Sequence, residues 1–433
     1  MNVLAATALL FGVFFLLMFL GVPISVAIGV ASIAIMWGAF PADIMAYMVA
    51  QRVFKGIDSF GLLALPFFML AGSIMNKGGI ARRLVRMARF IVGKIPGYLA
   101  ATNVVTNMFF GAISGSSVAA ASAVGKIMSP LEEEEGYDPA YSAAVNICSA
   151  PTGVIIPPSG PLILYSLTAN GVSITALFMG GYIPGILLGL CVMVAAMLLA
   201  KKKGYTGSTV KETSSFGRVF VEALPSIGMM VIVMGGILLG WFTATEAGVV
   251  ACLYCIVLAL LYRELTLKAL WSMMADCMMD TAIILFLIAA SNIMSYAMSY
   301  TGIPAALSAI LMGITENKYL MLLIINVFLL VLGMFLDLTP AVLIFTPIFL
   351  PIVTNLGMSP VHFGVMLILN LAIGSVTPPV GSVLFVGCNV GRVKIEQVIK
   401  YIVPIFCAMV VALFLVVYIP QLTLWLPGLL GLT

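Results

Sequence analysis

The chain has 433 residues, 63% of them hydrophobic and 8% charged, against about 25% charged in an ordinary soluble domain. That composition excludes a soluble globular protein. The net charge of +4 is spread over the ends of apolar runs and gives nucleic-acid binding no support.

In chain order, Met1–Leu20 lacks a basic leader and an evident cleavage site, so it reads as a retained span. Charge-free windows such as Val3–Leu20, Ile227–Thr245 and Ile402–Pro420 are each long enough to cross a bilayer as a helix. Period-two alternation is missing, which argues against a membrane barrel. The expected class is therefore an all-α polytopic protein whose surroundings are lipid. Basic residues gather in Lys77–Lys94 (Lys77, Arg82, Arg83, Arg86, Arg89, Lys94) and Lys201–Arg218 (Lys201, Lys202, Lys203, Lys211, Arg218). The positive-inside rule puts both stretches in the cytoplasm. Three apolar runs precede the first cluster, which places the N-terminus outside.

The chain repeats itself. GGIARRL aligns with TGIPAAL, Gly79 facing Gly302 at an offset of 223. Gly111 in FFGAISGSS faces Gly333 in VLGMFLDLT at 222, and Pro130 faces Pro351 at 221. Gly136, Pro139 and IPPSG (156–160) face Gly357, Pro360 and TPPVG (377–381) at 221. Two Pro-Pro-x-Gly breaks kept in order are a repeat signature rather than a likeness among apolar segments. The basic cluster after the first copy's opening segment has no counterpart in Tyr300–Lys318, which holds only Glu316 and Lys318. The copies therefore face opposite sides of the membrane, the pattern of secondary transporters built on inverted repeats with broken helices. The expected organisation is scaffold spans over 1–60, a first repeat over 61–200, a basic loop and connecting spans over 201–279, a second repeat over 280–426, and a tail over 427–433. Within the repeats, hairpins are expected at about 97–126 and 320–356, and broken helices at about 140–165 and 363–390.

Broken helices at membrane depth survive only when protein buries them or they line a polar cavity. Half-helix N-termini then offer N–H groups to an anion, and unwound carbonyls offer oxygen to Na+. Ser114, Gly115, Ser116 and Ser117 form a small polar cluster in the first copy, matched in the second by Asp337, Thr339 and Pro340. Asp337 is the only acid between Glu316 and Glu396, and a carboxylate within the membrane marks a cavity or an ion path. Tandem prolines remove donors from the preceding turn, leaving Gly153, Ile156, Gly374 and Thr377 as candidate main-chain oxygen ligands for a hard cation.

Other features read as structural. Glu132–Glu135 look like a solvated loop. Thr243 or Thr245 of WFTATEAG looks like a helix cap, and Asp276 and Asp280 are expected near the interface. Cys252 and Cys255 form a CxxC without a second pair or a neighbouring histidine, which suits helix packing. The one histidine, His362, sits where a helix begins. No paired acid, base and nucleophile supports an enzyme.

FFGAISGSSVAAASAVG, GVIIPPS followed by LFMGGYIPGILLG, GWFTATEAGVVA, GMFLDLTPAVLIFTPIFLPI and HFGVMLILNLAIGSVTPPVGSVLFV together resemble the large membrane subunit of tripartite ATP-independent periplasmic (TRAP) transporters. The likeness covers nearly the whole chain. It implies a multi-pass protein of the bacterial inner membrane with an elevator-type fold, two re-entrant hairpins and a Na+-coupled mechanism using two or more ions. It also implies a small four-helix membrane subunit and a periplasmic substrate-binding protein as partners. The implied substrate is a carboxylate: a C4-dicarboxylate, sialic acid, or another sugar or keto acid. By motif position the resemblance puts Ser114, Ser116, Ser117, Ser159, Asp337 and Thr339 near substrate. Groups of Ser114, Gly153, Ile156, Gly333, Asp337, Gly374 and Thr377 would hold sodium. A standalone ion-coupled carboxylate carrier is the alternative, with a channel behind it.

Overall fold

The computed structural model describes residues 2–93, 95–169, 171–205, 216–315 and 317–432; Lys94, Lys211 and Glu316 of the sequence argument lie outside them. Every regular element among the described residues is a helix. Among the described residues, seven helices are long and apolar enough to cross a membrane, or eight if a pair bent by 51° counts as one span.

The first half runs α1 (Val3–Phe19), α2 (Ile24–Ala39), α3 (Ala42–Ile57), a 3-10 turn (Phe60–Leu63), α4 (Ala64–Lys77) and α5 (Ile80–Val92). A hairpin follows, α6 (Tyr98–Ser114) and α7 (Ser117–Glu134), then a broken helix, α8 (Pro139–Ile155) and α9 (Gly160–Thr168), and the long α10 (Ile174–Lys202). The second half runs α11 (Phe216–Leu238), α12 (Ala244–Leu261), α13 (Leu267–Thr301) and α14 (Ile303–Ile314). Its hairpin is α15 (Lys318–Gly333) and α16 (Leu338–Asn355), and its broken helix is α17 (Pro360–Gly374) and α18 (Ser382–Gly391). α19 (Ile395–Tyr418) and the short α20 (Gln421–Leu429) close the chain.

Packing repeats with the sequence. α6 lies on α8 as α15 lies on α17, and α10 and α19 pack on each other and on both α8 and α17. α7 packs on α18 and α16 on α9, so each hairpin's second arm meets the short half of the other repeat's broken helix. Around this group α4 packs on α12 and α2 on α13, α1 on α2 and α11 on α12, while α5 meets α11 and α14 meets α1. The duplication thus reaches α1 and α2, whose counterparts are α11 and α12.

Two local features differ from the sequence reading, and one choice that it left open is decided. Offsets of 222–223 map α3, the 3-10 turn and α4 onto the single 35-residue α13, which at 1.5 Å per residue is about 52 Å long. Asp276 and Asp280 are exposed within that helix, Asp276 lying 4.0 Å from Lys77. The second arm of hairpin 1 continues through Pro130 to Glu134, so Glu132 is not in a solvated loop: it closes a helix and is 2% exposed. Thr243 is the cap of α12, completing a capping box with Glu246, whereas Thr245 donates to Phe60 O.

Lipid offers no hydrophobic drive between helices, so close contact falls to small residues and buried amides. α6 crosses α8 at Gly111 and Gly153, where a methyl added to Gly153 would stand 2.4 Å from Gly111 Cα. α15 crosses α17 at Gly333 and Gly374, with 2.7 Å for the same construction on Gly374. Beside the first crossing, Asn107 Nδ2 donates to Asn103 Oδ1 (2.8 Å) and Ser149 Oγ (2.7 Å). Beside the second, Asn370 Nδ2 donates to Asn326 O (2.9 Å) and Oδ1 (2.8 Å). At the basic end of the molecule, Asp138 caps α8 through Ala140 N and accepts from Lys203 Nζ (2.5 Å) and Tyr401 OH (2.7 Å). This knot ties α8 and the end of α10 to α19 of the other repeat. Cys252 Sγ donates to Phe67 O on α4, and His362 is buried against Thr423 Oγ1 (2.5 Å) and Val417 O (3.3 Å).

Candidate functional site

The hairpin tips and helix breaks enclose one cavity of about 180 Å³. α6 ends at Ser114, and Gly115 turns the chain with φ of +62°, a conformation that costs a side-chain residue strain. A Cβ there would also lie 3.1 Å from Gly160 N, so the tip of hairpin 1 rests on the start of α9. Ser116 caps α7 by accepting from Ala119 N (3.2 Å). The second tip is built in parallel: Asp337 stands at the N-cap of α16 without a capping bond from its side chain, and its Oδ1 accepts from Ser382 Oγ at the start of α18 (3.1 Å). Gly381 N also donates to Met334 O (3.1 Å), fastening tip to break.

Four helix N-termini therefore line one space: Ser116, Ser117 and Val118 of α7; Gly160 and Pro161 of α9; Asp337, Leu338 and Thr339 of α16; Ser382 and Val383 of α18. Leu65, Phe68 and Met69 of α4 and Ile284 of α13 form an apolar wall. Asp337 is the one charged side chain among the described lining residues. An anion here would be met by serine hydroxyls and by N–H groups at the positive ends of helix dipoles, each end worth about 0.3–1 kcal/mol and up to about 2 where partly buried.

Of the sequence candidates, Ser114, Ser116, Ser117, Asp337 and Thr339 line the cavity. Ser159 stands just behind it, fully buried, with Oγ accepting from Leu162 N as the cap of α9. Gly153, Gly333 and Gly374 lie at the two helix crossings, and Ile156 and Thr377 lie in the breaks that follow α8 and α17. Both Pro-Pro peptides, Pro157–Pro158 and Pro378–Pro379, are cis.

The breaks differ in what they leave open to a cation. Pro157 and Pro158 carry no N–H, so Gly153 O and Val154 O have no donor one turn on. Val154 lines the cavity with Ser114. This oxygen-rich, uncharged set fits a hard monovalent cation. In the second break Gly374 O accepts from Thr377 N (3.1 Å) and Thr377 Oγ1 (2.6 Å), and Ser375 O accepts from Val383 N (3.2 Å). There the carboxylate of Asp337 could supply a cation with oxygen instead.

Sequence reasoning missed Ser375 and Ser382 as lining residues, and the amide pairs behind both crossings. One signal was present. Ser149 and Asn370 are repeat mates at an offset of 221, each four residues before a crossing glycine.

Comparison with known proteins agrees with this architecture. A protein-family model, the DctM component of the tripartite ATP-independent periplasmic transporter, matches residues 11–422. The chain is 48% identical over 420 residues to YgiK of Salmonella typhimurium, covering 97% of each. It is 38% identical over 423 residues to the isethionate TRAP transporter permease protein DctMQ of Oleidesulfovibrio alaskensis, covering 97% of this chain and 66% of that one. To the C4-dicarboxylate TRAP transporter large permease protein DctM of Rhodobacter capsulatus it is 32% identical over 438 residues, covering 98% and 99%. Among solved structures, the YdaH transporter of Alcanivorax borkumensis, described as having an unusual topology, shares the fold with a TM-score of 0.68 at 14% identity, covering 87% of this chain and 89% of that one. With its duplicated hairpins and broken helices meeting at one cavity, this multi-pass membrane chain belongs to the DctM component family of TRAP transporters.

Proposed function

We propose that the chain carries an organic acid anion inward, coupled to Na+, in the cavity between the two hairpin tips. The observation that carries this reading is the convergence of four helix N-termini and the tip serines on a space with no lining Lys, Arg or His among the described residues. Backbone dipoles and hydroxyls suit carboxylate or sulfonate oxygens of several shapes, in keeping with relatives whose names give isethionate and C4-dicarboxylates. Sodium would be held by Ser114 and the carbonyls of Gly153 and Val154 on one side and by Asp337 on the other. Bound there, it supplies positive charge that offsets the substrate and Asp337. Each net positive charge moved inward across 100 mV releases about 2.3 kcal/mol, so carrying more Na+ than substrate charge drives accumulation.

Substrate reaches this site from a periplasmic binding protein, and a small membrane subunit completes the assembly. One relative, the DctMQ protein, is about half as long again as this chain, which covers 66% of it. The cavity's position supports an elevator movement: its polar lining comes from hairpins and broken helices, and its apolar wall from α4 and α13, which pack on α12 and α2. The hairpin group would slide against that frame with the N-terminus on the periplasmic side.

The test is uptake into proteoliposomes holding the chain and its small subunit, with the binding protein and a panel of organic acids outside. Saturable uptake that needs both an inward Na+ gradient and the binding protein is expected. Equal uptake with the gradient collapsed would refute coupling, and equal uptake without the binding protein would favour a standalone carrier.

A further inference from the structure

Glu132 takes no part in the cavity. It lies in the last turn of α7, 2% exposed, at the end of the molecule that carries Lys201–Lys203. Its Oε1 accepts from Asn103 Nδ2 (3.2 Å) on α6, while its Oε2 has no hydrogen-bond partner. Among the described residues, no Lys or Arg forms an ion pair with it. The groups set against it are Asn103 of α6 and Tyr137, Tyr141 and Ser142 of α8 and its lead-in, with Tyr98 of α6 beyond Tyr137 and Glu133–Glu135 following in sequence. Asp138 is engaged by Lys203 and Tyr401, Arg89 of α5 lies over the Tyr98 ring, and Arg392, exposed, ends α18. No cation is paired with the Glu132 carboxyl among the described residues, so a carboxylate there, held by the one bond from Asn103, carries most of its desolvation cost.

A second buried atom lacks a partner: Ser142 Oγ on the facing helix α8, close enough to influence the Glu132 carboxyl but outside hydrogen-bonding geometry with it. Ser142 also lines a small cavity of about 30 Å³ shared with Ser129, Glu133, Pro139 and Gly391, room enough for one water. Glu133, which shares this cavity, is exposed. Beyond Asn103 the buried chain continues: Asn103 Oδ1 accepts from Asn107 Nδ2 and Ser149 Oγ, and Asn107 O abuts Gly153 at the helix crossing.

We propose that Glu132 is a proton-binding site at the base of hairpin 1, neutral in this conformation and exchanging its proton with the Lys201–Lys203 side through Ser142 and the small cavity. A side-chain rotation lets the neutral acid donate its Oε2 hydrogen to Ser142 Oγ, which gives both orphaned atoms a partner, and the serine hydrogen turns to water in the cavity. On release, the proton passes through Ser142 to that water and leaves a carboxylate between α6, α7 and α8. Its desolvation cost then loosens the hairpin base from the broken helix, so pH on that side tunes the hairpin independently of Na+ and substrate.

The experiment compares the full chain, purified in detergent, with its Glu132→Gln variant by infrared spectroscopy in D2O and by thermal unfolding across pH. The wild type should show a protonated-carboxyl carbonyl band that Glu132→Gln lacks and that fades at alkaline pH. A folded state that holds a proton more tightly than the unfolded chain loses stability as pH rises. The wild-type Tm should therefore fall between about pH 5 and about pH 8, with the fall at least halved in Glu132→Gln. A Ser142→Ala variant covers the case in which Glu132→Gln does not fold: it should shift the band by removing the hydrogen-bond acceptor. An identical band in wild type and either variant, or superimposable Tm profiles for wild type and Glu132→Gln, would overturn the proposal.

Discussion

Replacing Gly153 by alanine probes the joint that holds hairpin 1 against the first break. The new Cβ would stand 2.4 Å from both Asn107 O and Gly111 Cα. Both neighbours are backbone, so no side chain can swing aside, and α6 and α8 must part by about 1 Å to restore ordinary contact near 3.4 Å. Overpacking of this kind costs about 1–3 kcal/mol. The same substitution in an unhindered helix gains about 0.8–1 kcal/mol from propensity, which leaves a net loss of about 0–2 kcal/mol and a deficit of about 1–3 kcal/mol against an unhindered glycine. Gly235→Ala in α11 is the control, since nothing lies within 4 Å of its Cβ; it should be neutral or slightly stabilising. Thermal unfolding in detergent checks the sign of both changes, and reconstituted uptake reads the consequence, because Ser114 rides on the displaced arm. A Gly153→Ala protein as stable and as active as Gly235→Ala would refute the close crossing.

Three further outcomes follow from the same geometry. Asp337→Asn should insert and fold but lose most Na+-dependent uptake, and Ser116→Ala should do so more mildly; unchanged uptake and sodium dependence in both would remove them from the site. Asn326→Leu removes the Oδ1 acceptor of Asn370 Nδ2 and leaves it only the backbone carbonyl of residue 326, a loss of about 0.5–1.5 kcal/mol for one hydrogen bond; a Tm equal to wild type would show that the amide pair carries no stability. Burial raises the Asp138 carboxyl, but hydrogen bonds from Lys203, Tyr401 and Ala140 N outweigh it and hold the pKa at about 2. Its contribution, about 1–2 kcal/mol after allowing for partial exposure, is present above the ordinary aspartate value near 3.9 and lost as pH falls from about 4 towards 2. Asp138→Asn should therefore lower Tm at neutral pH and narrow the gap to wild type in acid, as scanning unfolding at several pH values would show.

The breaks were legible because proline and glycine act locally: Pro157, Pro158, Pro378 and Pro379 dictate interruptions whatever surrounds them. Asp337 was legible because a charge in an apolar run must answer to something. The fate of Glu132 was not. A run of four glutamates reads as a solvated face, and only the tertiary contact with Asn103 and Ser142 takes the first of them inside. Asn326 and Asn370 escaped for a related reason, since each is a single amide within an apolar segment and their pairing joins positions far apart in sequence. The continuity of α13, against the interruption at residues 58–63 in its counterpart, also has no proline to announce it; Thr281–Ala297 alone looks like a complete span.

The central claim is that substrate sits between the two tips and touches both repeats. Ser117→Cys on α7 and Ser382→Cys on α18 place one thiol on each repeat's wall of the cavity. Their rates of modification by a charged thiol reagent can be followed residue by residue with peptide mass spectrometry, apart from the seven native cysteines. Adding a transported acid in Na+ medium should slow both rates together, while the acid without Na+ should slow neither as much. Protection of one thiol with the other unchanged, in protein that still transports, would contradict the shared site.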